Sequence, residues 1–166
     1  NYQNLLMAGS GAVAGIGNLK DNAIIGNSIA NQITGAAGAD FLTGEDGADV
    51  FRYPKLTDSL LGIPGAYGFD RITDFTPTAV STTTDRIQLE NTGTGLFTAI
   101  TTTGTLAANA FISGNAFTNT TQRIRYDGAT GNLFYDADGS GGAQASILFA
   151  TLATGLTINN THFQVT

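Results

Sequence analysis

The amino-acid sequence predicts an all-β fold, in which a short parallel solenoid of nine-residue units is capped by an antiparallel β region. A repeated motif predicts the solenoid, because glycines, an aspartate and a large apolar residue recur at a spacing of nine residues in "ITGAAGADFLTGEDGADVF" (33–51). The composition predicts β structure, because 22 glycines and only 3 prolines in 166 residues, with abundant Thr and Asn, favour short strands and tight turns over long helices.

The nine-residue frame begins at Gly17 and runs through four consecutive units. Position eight is apolar in every unit and position six is Asp or Asn: position eight holds Ile24, Ile33, Leu42 and Phe51, and position six holds Asn22, Asn31, Asp40 and Asp49. This period is neither that of a helix nor that of a plain strand. Each unit is therefore predicted to form a six-residue turn and a three-residue strand, with position eight facing inward. Residues 4–10 are expected to form an entry strand on the first turn.

Two units complete one coil of the predicted solenoid, so turns eighteen residues apart stack on each other. The stacked pairs are 17–22 with 35–40, and 26–31 with 44–49. Each pair surrounds one gap with side-chain oxygens and backbone carbonyls. Ca²⁺ prefers about six to eight hard oxygen ligands of this kind.

Asp40 and Asp49 predict calcium binding between these turns. Carboxylates stacked at about 5 Å without a cation would repel each other, so a metal ion explains why Asp occupies this position. In the alternative interpretation, glycine-rich turns merely close a small solenoid, and the Asp and Asn side chains cap backbone amides. For the two units that carry Asn22 and Asn31, both interpretations stay open.

The chain is predicted to divide into a β-roll with its entry strand over residues 1–53 and a cap over residues 54–166. An open solenoid end exposes apolar backbone, so a cap is expected. Its core is predicted to contain Phe69, Ile72, Phe75, Ile87 and Leu89. Two β-rich runs, 123–127 and 132–136, flank Gly128-Ala129-Thr130-Gly131 and predict a hairpin.

The loop "YDADGSGG" (135–142) is a second candidate calcium site. Asp136, Asp138 and Ser140 fill positions one, three and five of an EF-hand-like loop, and Gly141 fills position six. Position twelve is Ile147, so the bidentate Glu of a true EF-hand is missing. The alternative is a polar loop whose Asp side chains accept turn amides.

Two more carboxylates follow the last repeat. Asp70 is placed where it would reach the final turn and add a carboxylate near Asp49; the alternative is a surface Asp on an edge strand. Asp58 is expected to lie in a turn before it.

Several segments resemble the RTX (hemolysin-type calcium-binding) family. Residues 35–51 are similar to the family's GGxGxDxUx nonapeptides. "FDRITDF" (69–75) with "DRIQL" (85–89) resembles the D-x-I-x-D-F segment that follows the roll, and "RIRYDGATGNLFYDADGSG" (123–141) with the ending "THFQV" resembles the C-terminal hairpin and terminus. Ala36 and Glu45 replace the second glycine of the motif, and Asn replaces Asp in two units, so the roll is short and under-charged.

The resemblance implies a parallel β-roll that binds Ca²⁺ between its turns. It also implies a non-catalytic C-terminal module of a secreted bacterial protein, which carries the signal read by a type I (ABC) exporter. In cytosol poor in Ca²⁺ the Asp-lined turns would repel and keep the chain unfolded for export, and extracellular Ca²⁺ would stabilise the fold. The lack of cysteine and of an N-terminal signal fits that route, and the start at Asn1 suggests a piece of a longer polypeptide. The candidate ligands are Asn22, Asn31, Gly35, Ala37, Gly38, Asp40, Gly44, Asp46, Gly47, Asp49, Asp70, Asp136, Asp138 and Ser140.

The composition argues against other classes of function. A net charge of −6 with 7 basic residues gives no footprint for nucleic acid or an anionic membrane, and no apolar run approaches the ~20 residues of a membrane span. Catalysis is not expected, because the single histidine, His162, is interpreted as an exposed or half-buried filler. An alternative function is a calcium-dependent adhesive module that binds a surface polysaccharide or self-associates through 92–105 or the aromatic hairpin. An enzyme fragment would need a cleft that no sequence feature predicts.

Overall fold

The computed structural model describes residues 3–11, 13–54, 68–78, 82–92 and 96–166. Asp58, which was expected in a turn, lies outside these residues. The described residues form β-strands and one-turn 3₁₀ helices, without an α-helix. The strands are β1 Gln3–Leu6, β2 Ala14–Ile16, β3 Asn22–Ile25, β4 Gln32–Thr34, β5 Phe41–Thr43, β6 Val50–Tyr53, β7 Asp70–Ile72, β8 Arg86–Leu89, β9 Gly104–Thr105, β10 Phe111–Ser113, β11 Ile124–Asp127, β12 Asn132–Tyr135, β13 Ile147–Thr151 and β14 Phe163–Val165. The 3₁₀ helices are Ala108–Ala110, Gly139–Gly141 and Asn160–His162.

The strands form two sheets that alternate along the chain. Sheet A has the order β1-β3-β5-β7-β13-β12-β11-β10, and sheet B has the order β2-β4-β6-β8-β14-β9. Within the repeats the strands pair in parallel at a step of eighteen residues, so that Ala23 pairs with Phe41 and Gln32 pairs with Val50. The predicted coil of two nonapeptides and its parallel β-roll are confirmed. The entry strand is also present, as β1 parallel to β3.

The parallel pairing does not stop at residue 53. β7 pairs with β5, and β8 pairs with β6, both in parallel. These strands lie in the region that the sequence predicted to be antiparallel, yet they add a further coil to the roll. Antiparallel pairing begins farther along the chain, between β11, β12 and β13 and between β14 and β9. The division at residue 53 stays a prediction.

The interior of the roll is built from the position-eight side chains. Ile24, Ile33, Leu42 and Phe51 are at most 1% exposed, and Ile72 and Ile87 continue the two rows in the added coil. Phe75 and Leu89 are buried as predicted, but Phe69 is 44% exposed. Phe69 lies outside the core because it precedes β7, in which the buried residues are Asp70 and Ile72 and the intervening position faces outward.

The C-terminal hairpin extends sheet A beyond the last coil, to which β13 joins it. β11 and β12 pair antiparallel with Tyr126 opposite Leu133, and both side chains are buried. His162, expected to be exposed or half-buried, is only 6% exposed. Its Nδ1 accepts the Asn159 amide at 3.1 Å in a capping box, so it has a structural role before β14. Within the part of the chain that is described, no helix is long and apolar enough to cross a membrane.

Candidate metal-binding turns

The position-six side chains form two columns, one beside each sheet. Column A contains Asn22, Asp40 and Asp70, and column B contains Asn31, Asp49 and Asp85. All six side chains are buried, and Asp40 and Asp49 are 1% and 0% exposed. Stacking of parallel coils places equivalent residues directly above one another, which explains the columns.

Each column is linked by hydrogen bonds from backbone to side chain. In column A, the Asn22 amide donates to Asp40 Oδ1 at 2.7 Å, and the Asp40 amide donates to Asp70 Oδ1 at 3.2 Å. Column B repeats the pattern, with the Asn31 amide on Asp49 Oδ1 at 2.8 Å and the Asp49 amide on Asp85 Oδ1 at 2.9 Å. One carboxylate oxygen of each Asp therefore joins successive coils.

The Asn turns satisfy their side-chain oxygens internally. Asn22 Oδ1 accepts the Asn18 amide at 2.8 Å, and Asn31 Oδ1 accepts the Asn27 amide at 2.7 Å. Both bonds run from position two of the unit to position six. This geometry favours the interpretation of capped turns for these two units.

The Asp turns differ, because one carboxylate oxygen has no donor. Asp40 Oδ2 and Asp49 Oδ2 are fully buried and accept no hydrogen bond from the described residues. Position two of these units is Ala36 or Glu45, with φ of 73° and 68°, and its amide does not donate to the carboxylate as it does in the Asn turns. A buried oxygen that lacks a donor costs about 1–3 kcal/mol, and more when it is charged.

Glycine at position one leaves the room beside each orphaned oxygen. A Cβ at Gly35 would overlap Asp40 Oδ2, and a Cβ at Gly44 would overlap Asp49 Oδ2. The carbonyls of the same two glycines would overlap a Cβ at Gly17 and at Gly26 of the coil before. These carbonyls therefore lie near Asn22 Oδ1 and Asn31 Oδ1, and a cation in an Asp turn would need carbonyls of that turn beside the carboxylate.

The remaining predicted ligands of these turns are backbone positions or exposed side chains. Gly38 and Gly47 have φ of 129° and 126° and lie against the backbone of the preceding coil. Ala37 is buried, whereas Asp46 is exposed. Nowhere in the described residues do three His, Cys, Asp or Glu side chains form a metal-binding cluster. A cation in these turns would therefore depend on backbone carbonyls together with one or two carboxylates.

Burial raises the pKa of the column carboxyls. Burial, reinforced by the charge of Asp21, raises the pKa of Asp40 to about 6. Burial, reinforced by Asp85, Asp74 and Asp46, raises the pKa of Asp49 to about 7. Burial and the Asp40 charge also place the pKa of Asp70 well above its ordinary value. Without a cation, these turns therefore oppose the ionised carboxylate.

Asp70 lies in column A and not beside Asp49, where the sequence placed it. Asp85 occupies the expected place beside Asp49, and burial raises its pKa to about 6. The alternative of an exposed edge-strand Asp70 is wrong, because this side chain is only 6% exposed. The missed signal was the tripeptide Asp-Arg-Ile, which occurs at 70–72 and again at 85–87 with the spacing of positions six to eight.

Asp74 was also missed as a turn residue. Its Oδ1 accepts the Gly44 amide at 3.0 Å, and its Oδ2 accepts the Glu45 amide at 2.7 Å. Both amides begin the turn that holds Asp49. Asp74 thus caps this turn from the following coil and holds a second negative charge near column B.

The loop 135–142 is closed by its own amides. Asp136 Oδ1 accepts the Asp138 amide at 3.0 Å, and Asp138 Oδ2 accepts the Ala143 amide at 2.8 Å. Ser140 donates its own amide to the Asn119 carbonyl at 3.1 Å. The Ala143 amide lowers the pKa of Asp138, whereas burial raises that of Asp136. Asp138 Oδ1, however, is buried and accepts no hydrogen bond from the described residues, so both interpretations of the loop stay open and its calcium binding stays a prediction.

Replacing Ala36 with glycine is expected to stabilise the protein by about 0.5–1 kcal/mol, because an L-residue in the left-handed region pays about 1–2 kcal/mol that glycine avoids. Urea unfolding of the metal-free protein measures the change. Ala30→Gly is the control, since this exposed alanine of the preceding turn has no positive φ, and its replacement should be destabilising. A loss of stability in both variants would contradict the backbone strain at Ala36.

Comparison with protein-family models gives no match, and comparison with curated protein sequences gives none. Among solved structures, the chain is similar to the solution structure of the AlgE6R3 subunit from the Azotobacter vinelandii mannuronan C5-epimerase, with 20% sequence identity and a TM-score of 0.43. The match covers 96% of this chain and 78% of that chain.

Proposed function

We propose that this chain is a calcium-binding, non-catalytic module of a secreted bacterial protein, which completes its fold on extracellular Ca²⁺. The observation that carries the proposal is the pair of orphaned oxygens, Asp40 Oδ2 and Asp49 Oδ2, each buried beside a glycine of its own turn. Asp40 and Asp49 would hold the ion, together with carbonyls of their turns. Bound Ca²⁺ supplies the positive charge that an ionised carboxylate lacks here.

The chain's own residues explain why folding would depend on the cation. Ionised Asp40 lies next to Asp70, and ionised Asp49 lies next to Asp85. Two ionised carboxylates that lie next to each other in a buried place repel strongly. The roll is therefore disfavoured where Ca²⁺ is scarce, which is the condition that a chain threaded through an exporter needs.

Passage through a type I (ABC) exporter, with the signal in this chain, is part of the proposal. Its support is the predicted resemblance and the electrostatic cost of the metal-free roll. Co-expression of the chain with such an exporter tests it, and retention of the chain inside the cells would contradict it. The non-catalytic role is supported by His162, which is only 6% exposed and caps a turn through its Nδ1.

The calcium-binding proposal is tested with the double variant Asp40→Asn/Asp49→Asn. Asparagine keeps Oδ1 for the Asn22 and Asn31 amides but removes the charge, and the chain itself places Asn at the same position in two units. In about 10 mM Ca²⁺, a site with a dissociation constant of 10⁻⁴–10⁻³ M stabilises the native state by about 1.4–2.7 kcal/mol. We expect this gain, for each site, in the wild type and none in the variant. Urea unfolding and circular dichroism across a Ca²⁺ titration measure it.

Two controls make the result specific to the columns. Mg²⁺ at the same concentration should stabilise far less, because it retains its water and demands a tighter octahedral site. Asp127→Asn removes one charge from the hairpin, where Asp127 lies 3.9 Å from Arg125, and should leave the Ca²⁺ response unchanged. Equal Ca²⁺ responses in the wild type and the double variant would exclude the two Asp turns as the site.

A further inference from the structure

A groove lies on the outer face of sheet A, beside the strand that carries Asp70 of column A. Its volume is about 480 Å³, and it is lined by Phe69, Arg71, Thr130, Thr151 and residues 152–154. Arg71 and Thr151 are directly paired across β7 and β13. In β7 the neighbours of Arg71, which are Asp70 and Ile72, are buried, so the Arg71 side chain faces outward into the groove.

The far wall of the groove is held rigidly. The Leu152 amide donates to the Gly131 carbonyl at 2.8 Å, and the Gly155 amide donates to the Gly128 carbonyl at 2.8 Å. The buried Tyr126 hydroxyl donates to the Ala153 carbonyl at 2.6 Å from below. These bonds fix the segment 152–154 against the hairpin turn, so this wall of the groove is formed before any ligand arrives.

Arg71 is an exposed cation without an ion-pair partner among the described residues. The protein has a net charge of −6, with only 7 basic residues and 13 acidic ones, so Arg71 places one of its few positive charges beside the groove. A guanidinium group offers a planar fork of donors that matches a carboxylate. One such cation suits a ligand with single, separated carboxylates better than a densely charged phosphate backbone.

The other lining groups add the features that a sugar ring requires. Phe69 presents 44% of its surface, and an exposed aromatic ring can stack on the apolar face of a pyranose. The hydroxyls of Thr130 and Thr154 can serve as donors and acceptors for sugar hydroxyls, whereas the Thr151 hydroxyl donates to the Asp70 carbonyl at 3.4 Å and can act only as an acceptor. We propose that the groove formed by Phe69, Arg71, Thr130 and Thr151–Thr154 binds a short stretch of a uronic-acid saccharide, with Arg71 on its carboxylate.

The chain contains a matched control for Arg71. Arg86 belongs to the second Asp-Arg-Ile tripeptide, is likewise exposed, and faces outward from sheet B instead of sheet A. Arg71→Gln and Arg86→Gln therefore change the net charge equally and occupy equivalent places in the coil. Only Arg71 lines the groove.

The test is isothermal titration calorimetry on the full chain in constant Ca²⁺, with trisaccharides of galacturonic and glucuronic acid. Methyl esters of the same trisaccharides remove the carboxylate charge and keep the rings. We expect Arg71→Gln to weaken binding of the acid about tenfold, as for loss of one charge-assisted hydrogen-bond pair, and Arg86→Gln to change it less than twofold. The methyl ester should bind the wild type and Arg71→Gln equally.

Phe69→Ala is the second variant, and it should weaken binding of both the acid and the ester. Thermal unfolding of each variant checks that the fold is intact. The proposal would be overturned by equal losses in Arg71→Gln and Arg86→Gln, because general electrostatics would then explain binding. Failure of the wild type to bind either acid, or indifference to both Arg71→Gln and Phe69→Ala, would overturn it as well.

Discussion

Gly47→Ala is expected to destabilise the protein by more than about 3 kcal/mol, the upper range for backbone strain combined with overpacking. Gly47 has φ of 126°, where an L-residue is strained, and a Cβ at this position would lie 2.6 Å from the Ile29 carbonyl carbon and 2.8 Å from the Ala30 nitrogen. Both neighbours are backbone atoms of the stacked coil, and they cannot rotate away. Either the coils separate or the turn changes its conformation.

Gly9→Ala separates the two contributions. Gly9 also has a positive φ, of 104°, but no atom lies within 4 Å of its Cβ position. It should therefore show the backbone penalty alone, about 1–2 kcal/mol. Urea unfolding of both variants, with and without Ca²⁺, measures the difference. Similar losses at positions 9 and 47 would mean that the coils are not as closely stacked at Gly47 as the structure has them.

The regular part of the fold was predictable because the residues of each nine-residue unit determine its own turn and strand. A strand of three residues with one inward side chain repeats every nine residues, so the apolar residues Ile24, Leu42 and Phe51 report the coil directly. The turn glycines report it a second time, since Gly38 and Gly47 occupy equivalent positions with equivalent backbone angles. The inward apolar residue and the turn glycine each define the same nine-residue frame, so few alternative registers remain.

The last coil was not predicted because its spacing is different. The column step from Asn22 to Asp40 is 18 residues, but the step from Asp40 to Asp70 is 30 and that from Asp49 to Asp85 is 36. A search at constant period cannot find such a coil, although Asp and Ile keep their two-residue spacing within it. The exposure of Phe69 was missed for the same reason, since its side of the strand follows from the register of that coil.

The orphaned oxygens could not be read from the sequence either. Asn and Asp occupy the same position in the repeat, and only the structure shows that the Asn oxygens accept the amides of Asn18 and Asn27, whereas Asp40 Oδ2 accepts none. The difference accompanies the positive φ of Ala36 and Glu45. Asn and Asp are alike in shape, yet the Asn turns are satisfied by their own amides, whereas the Asp turns call for a positive charge.

The metal-free wild type is expected to lose stability as the pH rises from 5 to 8. The pKa values of Asp40 and Asp85 are about 6 and that of Asp49 is about 7 in the fold, against an ordinary value of 3.8. Between these values the native state binds more protons than the unfolded state, so the free energy of unfolding decreases with rising pH. For these three groups the stabilisation is complete below about pH 4 and lost above about pH 7, and the raised pKa of Asp70 acts in the same direction. After allowance for solvent screening, we expect a loss of about 1–3 kcal/mol over this range.

Asp40→Asn/Asp49→Asn should remove the contributions of these two groups to this pH dependence, whereas Asp70 and Asp85 keep theirs. The pKa of His162, which burial lowers, acts in the opposite direction, because this group destabilises the fold as it becomes protonated. It is present in both proteins, so the difference between the wild type and the variant cancels its effect. Above pH 7 and without Ca²⁺, the variant should be the more stable protein. Urea unfolding in EGTA at several pH values measures both curves.

Saturating Ca²⁺ should reverse the direction in which the free energy of unfolding of the wild type changes with pH. Protons compete with a cation for the Asp40 and Asp49 carboxylates, so ligand-dependent stabilisation grows as these groups ionise. The wild type should then gain stability from pH 5 to pH 8 while the double variant does not. The same two buried carboxylates would thus destabilise the roll without the cation and stabilise it with the cation. If the free energy of unfolding of the wild type changes with pH in the same way with and without Ca²⁺, Asp40 and Asp49 do not bind the ion. The columns would then have only a structural role.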